Sequence, residues 1–181
     1  MPKNISFSQL FRQLHTMPPE GAGDKLIQLV RRILLDERRQ TVNIKKLDPD
    51  AILPEKSTGL SAGFDVHSIQ NAEIPPHQRL KLGTGLAIAI PKGYHIEIRP
   101  RSGLALHHGI TVLNTPGTVD ADYRGELQIV LINHGDETYK IQKGDRIAQI
   151  LLMQHTEIIW NTVDELDETP RGTNGWGHSG I

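Results

Sequence analysis

The chain contains no cysteine, which excludes disulfides and thiolate metal sites together. It also lacks any apolar run approaching the about 20 residues that a membrane-spanning helix needs. Charge of one sign is missing too: 20 basic against 21 acidic residues leave a formal net charge of -1, so no global basic field points to nucleic acid. No repeat period or low-complexity tract is visible. The N-terminus has no uninterrupted apolar core of the secretory-signal kind. A soluble, intracellular, cytoplasmic protein is the expectation left standing. A length of 181 residues suits one domain with a small appendage. The nine histidines show no zinc-type spacing. His107 and His108 are adjacent, and on a strand adjacent side chains point apart.

Two compositions meet near residue 40. Before it, Ser6 and Gln9 have capping-box spacing, and Phe7, Leu10, Phe11 and Leu14 fall on one helical face. After a Pro18-Pro19 break with Gly21 and Gly23, Asp24 is a plausible N-cap for a second helix. There Leu26, Ile27, Leu29, Val30, Ile33 and Leu34 lie opposite Arg31, Arg32, Arg38 and Arg39. The spacing therefore predicts two amphipathic helices over residues 1–40, docked on the rest of the chain, a neighbouring subunit or another partner. Beyond residue 40 come short runs rich in Val, Ile and Thr. Tyr94 to Arg99 alternates cleanly, Leu80 to Ile90 imperfectly around Gly83 and Gly85, and Leu127–Asn133 and Arg146–Met153 read as further strands. Turn signals stand at Pro91-Lys92-Gly93, His134-Gly135-Asp136 and Lys143-Gly144-Asp145. Many short strands with regular turns predict an all-β sandwich or barrel rather than a parallel α/β sheet.

The most informative stretch is Leu113-Asn114-Thr115-Pro116-Gly117-Thr118-Val119-Asp120-Ala121-Asp122-Tyr123-Arg124-Gly125-Glu126. Pro116-Gly117 punctuates a turn. If the residues after it are extended, Asp120 and Asp122 share one face and Tyr123 takes the other. Free backbone groups at such a turn could read a flat polar ligand, and a carboxylate beside them could activate a water. A hairpin with solvated acids is the simpler alternative.

Four further runs stand around it in order: Ala62-Gly63-Phe64-Asp65-Val66, Pro100-Arg101-Ser102-Gly103-Leu104-Ala105, Gly144-Asp145-Arg146-Ile147-Ala148-Gln149, and the C-terminal Arg171-Gly172-Thr173-Asn174-Gly175-Trp176-Gly177-His178-Ser179-Gly180. Together the five runs resemble the ordered motifs of the trimeric dUTPase family, over about residues 41–181. The resemblance implies a jelly-roll-like β-barrel that assembles as a homotrimer with shared active sites. It divides the chain into the helical extension at 1–40, a barrel core at 41–165 and a glycine-rich arm at 166–181. It also implies hydrolysis of dUTP to dUMP and pyrophosphate, which limits uracil in DNA and supplies dUMP for thymidylate synthesis.

The resemblance further assigns roles. Asp120 matches the aspartate that activates the attacking water at the α-phosphorus; Asp122 is less constrained and could simply hold the hairpin. Asn114, Gly117, Thr118, Val119 and Gln128 occupy uracil-binding positions, many of them acting through main-chain groups. Tyr123 matches the tyrosine that packs under deoxyribose and leaves no room for a 2′-hydroxyl. Arg101, Ser102, Gly103 and Gln149 correspond to phosphate-binding residues. Asp65 matches an acid touching the hydration shell of Mg²⁺, an ion that keeps several waters and leans on substrate phosphates.

Four glycines among the ten residues from Arg171 to Gly180 cannot make a stable helix or strand, and a disordered tail is the plain reading. The run resembles a P-loop only superficially, lacking the Lys-Ser/Thr ending. The resemblance makes it an arm that closes over the nucleotide, with Arg171 on the terminal phosphates, Trp176 stacking on uracil, and Gly177, His178 and Ser179 beside them. Here the sequence departs from the family: Trp176 replaces a phenylalanine, Asn174 stands for glycine and His178 for serine. A dCTP deaminase shares the fold and some motif skeleton but needs an acid-base glutamate beside a differently shaped hairpin. A non-catalytic nucleotide-binding regulator would be expected to have lost the base or the arm.

Overall fold

The computed structural model describes residues 39–176, preceded by Gly23, Asp24 and Ile27. Those three have helical backbone, so Asp24 lies within a helical turn that includes Gly23 instead of capping it. The rest of the two expected N-terminal helices lies outside the described residues, as do Gly177, His178 and Ser179. No helix among the described residues is long and apolar enough to cross a membrane.

The strands run in chain order as β1 (Asn43–Lys46), β2 (Phe64–His67), β3 (Ala72–Ile74), β4 (Arg79–Ala89) and β5 (Tyr94–Arg99). After the helix α1 (Ser102–His108) come β6 (Ile110–Val112), β7 (Gly117–Val119), β8 (Glu126–Asn133), β9 (Tyr139–Ile141) and β10 (Arg146–Gln154). They form two four-stranded antiparallel sheets, ordered β1-β4-β8-β6 and β2-β10-β5-β7, and a small β3-β9 ribbon. Both large sheets contribute to one apolar core, Leu82, Ile129 and Leu131 from the first and Val66, Ile98 and Ile150 from the second. The all-β expectation holds. The ladders do not close into a single barrel among the described residues; two sheets facing one core are what the pairing gives.

The period-2 pattern explains the central strands. In β8, Leu127, Ile129, Leu131 and Asn133 turn inward while alternate residues face out. Strand β4 breaks this rule, being buried continuously from Leu82 to Ile88. The cause is a bulge: Gly83 pairs with Gln128 and Ala87 with Glu126, so four residue steps on β4 match two on β8. Gly85, at φ 67°, supplies the left-handed backbone that the detour needs.

The helix α1 departs from expectation. His107 and His108 sit in its last turn, not on a strand, and their rings meet edge-on at 6.4 Å between centroids. Gly109 ends the helix at φ 66°, its N–H donating to the carbonyls of Ala105 and Leu104.

Candidate active site

Three of the five motifs converge on one carboxylate. Asp65, on β2, is buried, and its Oδ1 accepts from Arg101 Nε at 3.2 Å. Its Oδ2 accepts from the Ser57 hydroxyl at 2.9 Å and from Arg146 Nη1 at 3.4 Å. Arg101 also donates through Nη1 to the Arg146 carbonyl at 3.2 Å. This leaves Nη2 of the Arg101 fork without a partner among the described residues, available for an anion. Gln149 pairs with Asp65 across the β10–β2 ladder and donates Nε2 to the Pro100 carbonyl at 2.9 Å. It fits there because residue 63 is glycine: a Cβ on Gly63 would collide with the Gln149 amide oxygen. Ser102 is exposed in the first turn of α1, and a Cβ on Gly103 would meet nothing within 4 Å. Within this chain that glycine keeps a surface open rather than avoiding a clash. His67, two residues beyond Asp65, is buried with no partner for Nδ1 among the described residues, and burial pushes its pKa down from the ordinary value.

The motif around Pro116-Gly117 forms a second centre. The turn after β6 contains a cis Thr115–Pro116 peptide, and exposed Asn114 folds over Gly117, where a Cβ would sit 3.2 Å from the Asn114 amide nitrogen. Exposed Thr118 and half-buried Val119 pair with Glu97 and Ile96 of β5. The expected extended run stops there. The Tyr123 N–H donates back to the Asp120 carbonyl at 3.2 Å, and Arg124 Nη1 gathers the carbonyls of Ala121 and Tyr123 at 2.6 and 2.8 Å. Asp120 and Asp122 therefore belong to a compact turn, not to one strand face. The exposed Asp120 carboxylate makes no hydrogen bond among the described residues. Tyr123 donates its hydroxyl to the Glu126 carbonyl at 3.0 Å and lies over Gly125, where a side chain would strike the phenol.

Gln128 contributes something a sequence does not display. The Leu113 N–H donates to the Val130 carbonyl at 2.9 Å, so Val130 points its backbone groups toward the β6 edge of β8. Backbone groups of residues two apart in a strand point the same way, so Gln128 aims its N–H and C=O toward that edge as well. Strand β6 has by then turned away, and no backbone partner meets them among the described residues. An adjacent donor and acceptor lie open in the plane of the sheet. The Gln128 side chain is engaged elsewhere, donating Nε2 to Glu126 Oε2 at 3.1 Å.

The two centres stand apart in one chain. Asp65, Gln149 and Arg99 lie in one row across β2, β10 and β5, whereas Asp120 follows Val119, the partner of Ile96. Three strand spacings sideways and four residue steps along place Asp120 about 20 Å from Asp65 on sheet geometry.

The segment from Gln154 to Trp176 is exposed throughout. Arg171 turns onto its own backbone, donating to the carbonyls of Asn174 and Gly175 at 2.9 and 3.3 Å. Trp176 is fully exposed, as are most of Ile159, Trp160 and Leu166.

A family model described as dUTPase matches residues 49–180. The chain belongs to the dUTPase family. It is 47% identical over 140 residues to a deoxyuridine 5′-triphosphate nucleotidohydrolase of Helicobacter hepaticus, covering 77% of this chain and 89% of that one. The corresponding enzyme of Treponema denticola is 52% identical over 138 residues, covering 75% and 96%. Among solved structures, the dUTPase of Staphylococcus bacteriophage 80alpha with dUPNHPP superposes with a TM-score of 0.73 at 26% identity, covering 79% of this chain and all of that one. Within the dUTPase motifs, sequence reasoning passed over Arg146, Arg124 and Glu126. Each stands inside a quoted run, so the signal was present; only the fold shows what each one holds.

Proposed function

We propose that the chain hydrolyses dUTP to dUMP and pyrophosphate through a water activated by Asp120, in sites assembled between copies of a homotrimer. Membership of the family supports the reaction. The observation that carries the site is the open backbone pair of Gln128 beside Tyr123 and Asp120. A backbone N–H and C=O present a donor and an acceptor, which match O4 and N3–H of uracil. Cytosine offers the opposite pattern at both atoms, and a site left with unpaired polar groups rejects by on the order of 10⁴-fold. Asn114, Gly117, Thr118 and Val119 wall the base, and Tyr123 lies under the deoxyribose.

Asp120 takes the proton of the water that attacks the α-phosphorus; the P–O bond to pyrophosphate breaks and the leaving group departs with its charge held by arginine. Arg101, Ser102, Gly103 and Gln149 bind the phosphates, with Arg101 aimed by Asp65. The about 20 Å between centres supports a site in which one copy supplies Asp120 and another supplies Arg101. The arm, with Arg171, Trp176, Gly177, His178 and Ser179, closes over the nucleotide. The exposed apolar side chains leading into it, from Ile158 to Leu166, support docking on a neighbouring copy.

Mg²⁺ fits this site through the substrate rather than a protein cage. No three potential ligands are grouped among the described residues, and both Asp65 oxygens already accept from guanidinium groups. Bound on the triphosphate, the ion would supply charge neutralisation there, and Asp65 is the residue that would face its hydration shell. On the same reading, residues 41–165 form the jelly-roll-type core, 166–181 the arm and 1–40 a helical extension. The same reading places the protein in the cytoplasm.

Incubation with dUTP and dCTP, followed by separation of products, tests the assignment. dUMP and pyrophosphate from dUTP alone are expected; ammonia from dCTP would contradict it.

A further inference from the structure

The ladder between β4 and β8 is interrupted where β8 carries the proposed base-reading edge. Between the Gly83–Gln128 and Ala87–Glu126 pairs the bulge removes regular backbone bonding. Two side chains cross the gap instead. Thr84, fully buried, donates its hydroxyl to the Leu127 carbonyl at 2.7 Å. Glu126 accepts the Gly85 N–H on Oε1 at 2.8 Å and the Gln128 amide on Oε2 at 3.1 Å. Gly83 leaves the space, since a Cβ there would lie 2.6 Å from Glu126 Oε1. The Glu126 carbonyl meanwhile holds the Tyr123 hydroxyl.

We infer that Thr84 and Glu126 are positioning residues that set substrate specificity, acting through Gln128 and Tyr123 without touching the nucleotide. This rests on the reading of Gln128 as the base-binding edge. A strand fixed by its ladder needs no such aid. Here one hydroxyl and one carboxylate span the gap between the Gly83–Gln128 and Ala87–Glu126 pairs at the β4 side of residues 126–128, while their other side is left open for the base. The carboxylate is an acceptor on both oxygens, so it fixes the Gly85 amide and the Gln128 side chain together. Loss of either bridge lets β8 shift by a few tenths of an ångström, enough to weaken a donor–acceptor match that depends on hydrogen-bond geometry.

The test compares kcat and KM for dUTP, dTTP and dCTP in Glu126→Ala and Thr84→Val with those in Glu126→Gln and Thr84→Ser. The conservative variants keep an oxygen at each bridge. Glu126→Ala and Thr84→Val should raise KM for dUTP about tenfold, with kcat nearly unchanged, and lower the preference for dUTP over the other two nucleotides. Glu126→Gln and Thr84→Ser should recover most of the preference. Thr84→Val preserves side-chain volume, so it remains informative should Glu126→Ala fail to fold. Unchanged KM and preference in folded Thr84→Val or Glu126→Ala would overturn the inference, as would kcat loss without a KM change. Wild-type protein unable to hydrolyse dUTP would instead remove the functional reading beneath it.

Discussion

At the scale of single residues, Asp120 and Gly125 carry the sharpest consequences. Asp120 stands exposed with its carboxylate uncommitted, as a group that must accept a proton from water should. Asp120→Asn keeps size and some hydrogen bonding but cannot take that proton. It should lower kcat by ~10²–10⁴-fold while dUTP binding, measured by calorimetry, stays near wild type. Near-normal kcat would remove Asp120 from its role. Gly125 has a subtler part. Any side chain there strikes the Tyr123 phenol, so Gly125→Ala should push the ring away from its hydrogen bond to Glu126. Space then opens beside the 2′ position, and the ratio of kcat/KM for dUTP over UTP should fall several-fold. A constant ratio would mean that Tyr123 does not guard the sugar. The Asp65 latch shows what a linear reading leaves out: its partners Arg101 and Arg146 are 36 and 81 residues away. The motif identified Asp65, but only the fold shows that two guanidinium groups meet its oxygens.

At the scale of elements, legibility followed burial. Strands β5, β8 and β10 appear in the sequence nearly to the residue, because one or both faces are packed and the apolar pattern must register it. Helix α1 was not legible. It buries no residue, so no 3.6-residue apolar stripe exists to reveal it, and Gly109 is its clearest punctuation. The bulge in β4 was visible only as disturbed alternation around Gly83 and Gly85; that it meets Glu126 required the register. The turn before Gly117 was placed correctly, but no hairpin follows it: β7 pairs with β5 and β8 with β4 and β6, and the acids lie in a turn where Arg124 collects the local carbonyls. The C-terminal arm is the element with least burial, and truncation after Pro170 separates catalysis from folding. Loss of Arg171 and Trp176 should leave the circular-dichroism melting of the core unchanged and reduce kcat/KM for dUTP by at least about tenfold, as expected when a closing segment that excludes water is removed. Undiminished turnover in the truncated protein would mean that the arm does not close the site.

At the scale of the whole molecule, the proposed site has its parts at two separate places in one chain. The phosphate centre around Asp65 and Arg101 lies at one end of the β2-β10-β5-β7 sheet, the turn with Asp120 at the other, and an exposed apolar segment runs from Ile158 toward the arm. In the proposed trimer, closed symmetric assembly would let the Asp120 turn of one copy face the arginines of the next. The central claim, that Asp120 and Arg101 of one working site come from different chains, is tested most directly by complementation. Asp120→Asn and Arg101→Ala chains, each inactive alone, are co-expressed with different tags, and mixed trimers carrying both tags are assayed for dUTP hydrolysis. Every trimer that holds both chains has one site in three pairing an intact Asp120 with an intact Arg101, so the account predicts recovery of up to about a third of wild-type activity. Mixed trimers no more active than either parent would show that both residues act within one chain, and would contradict it.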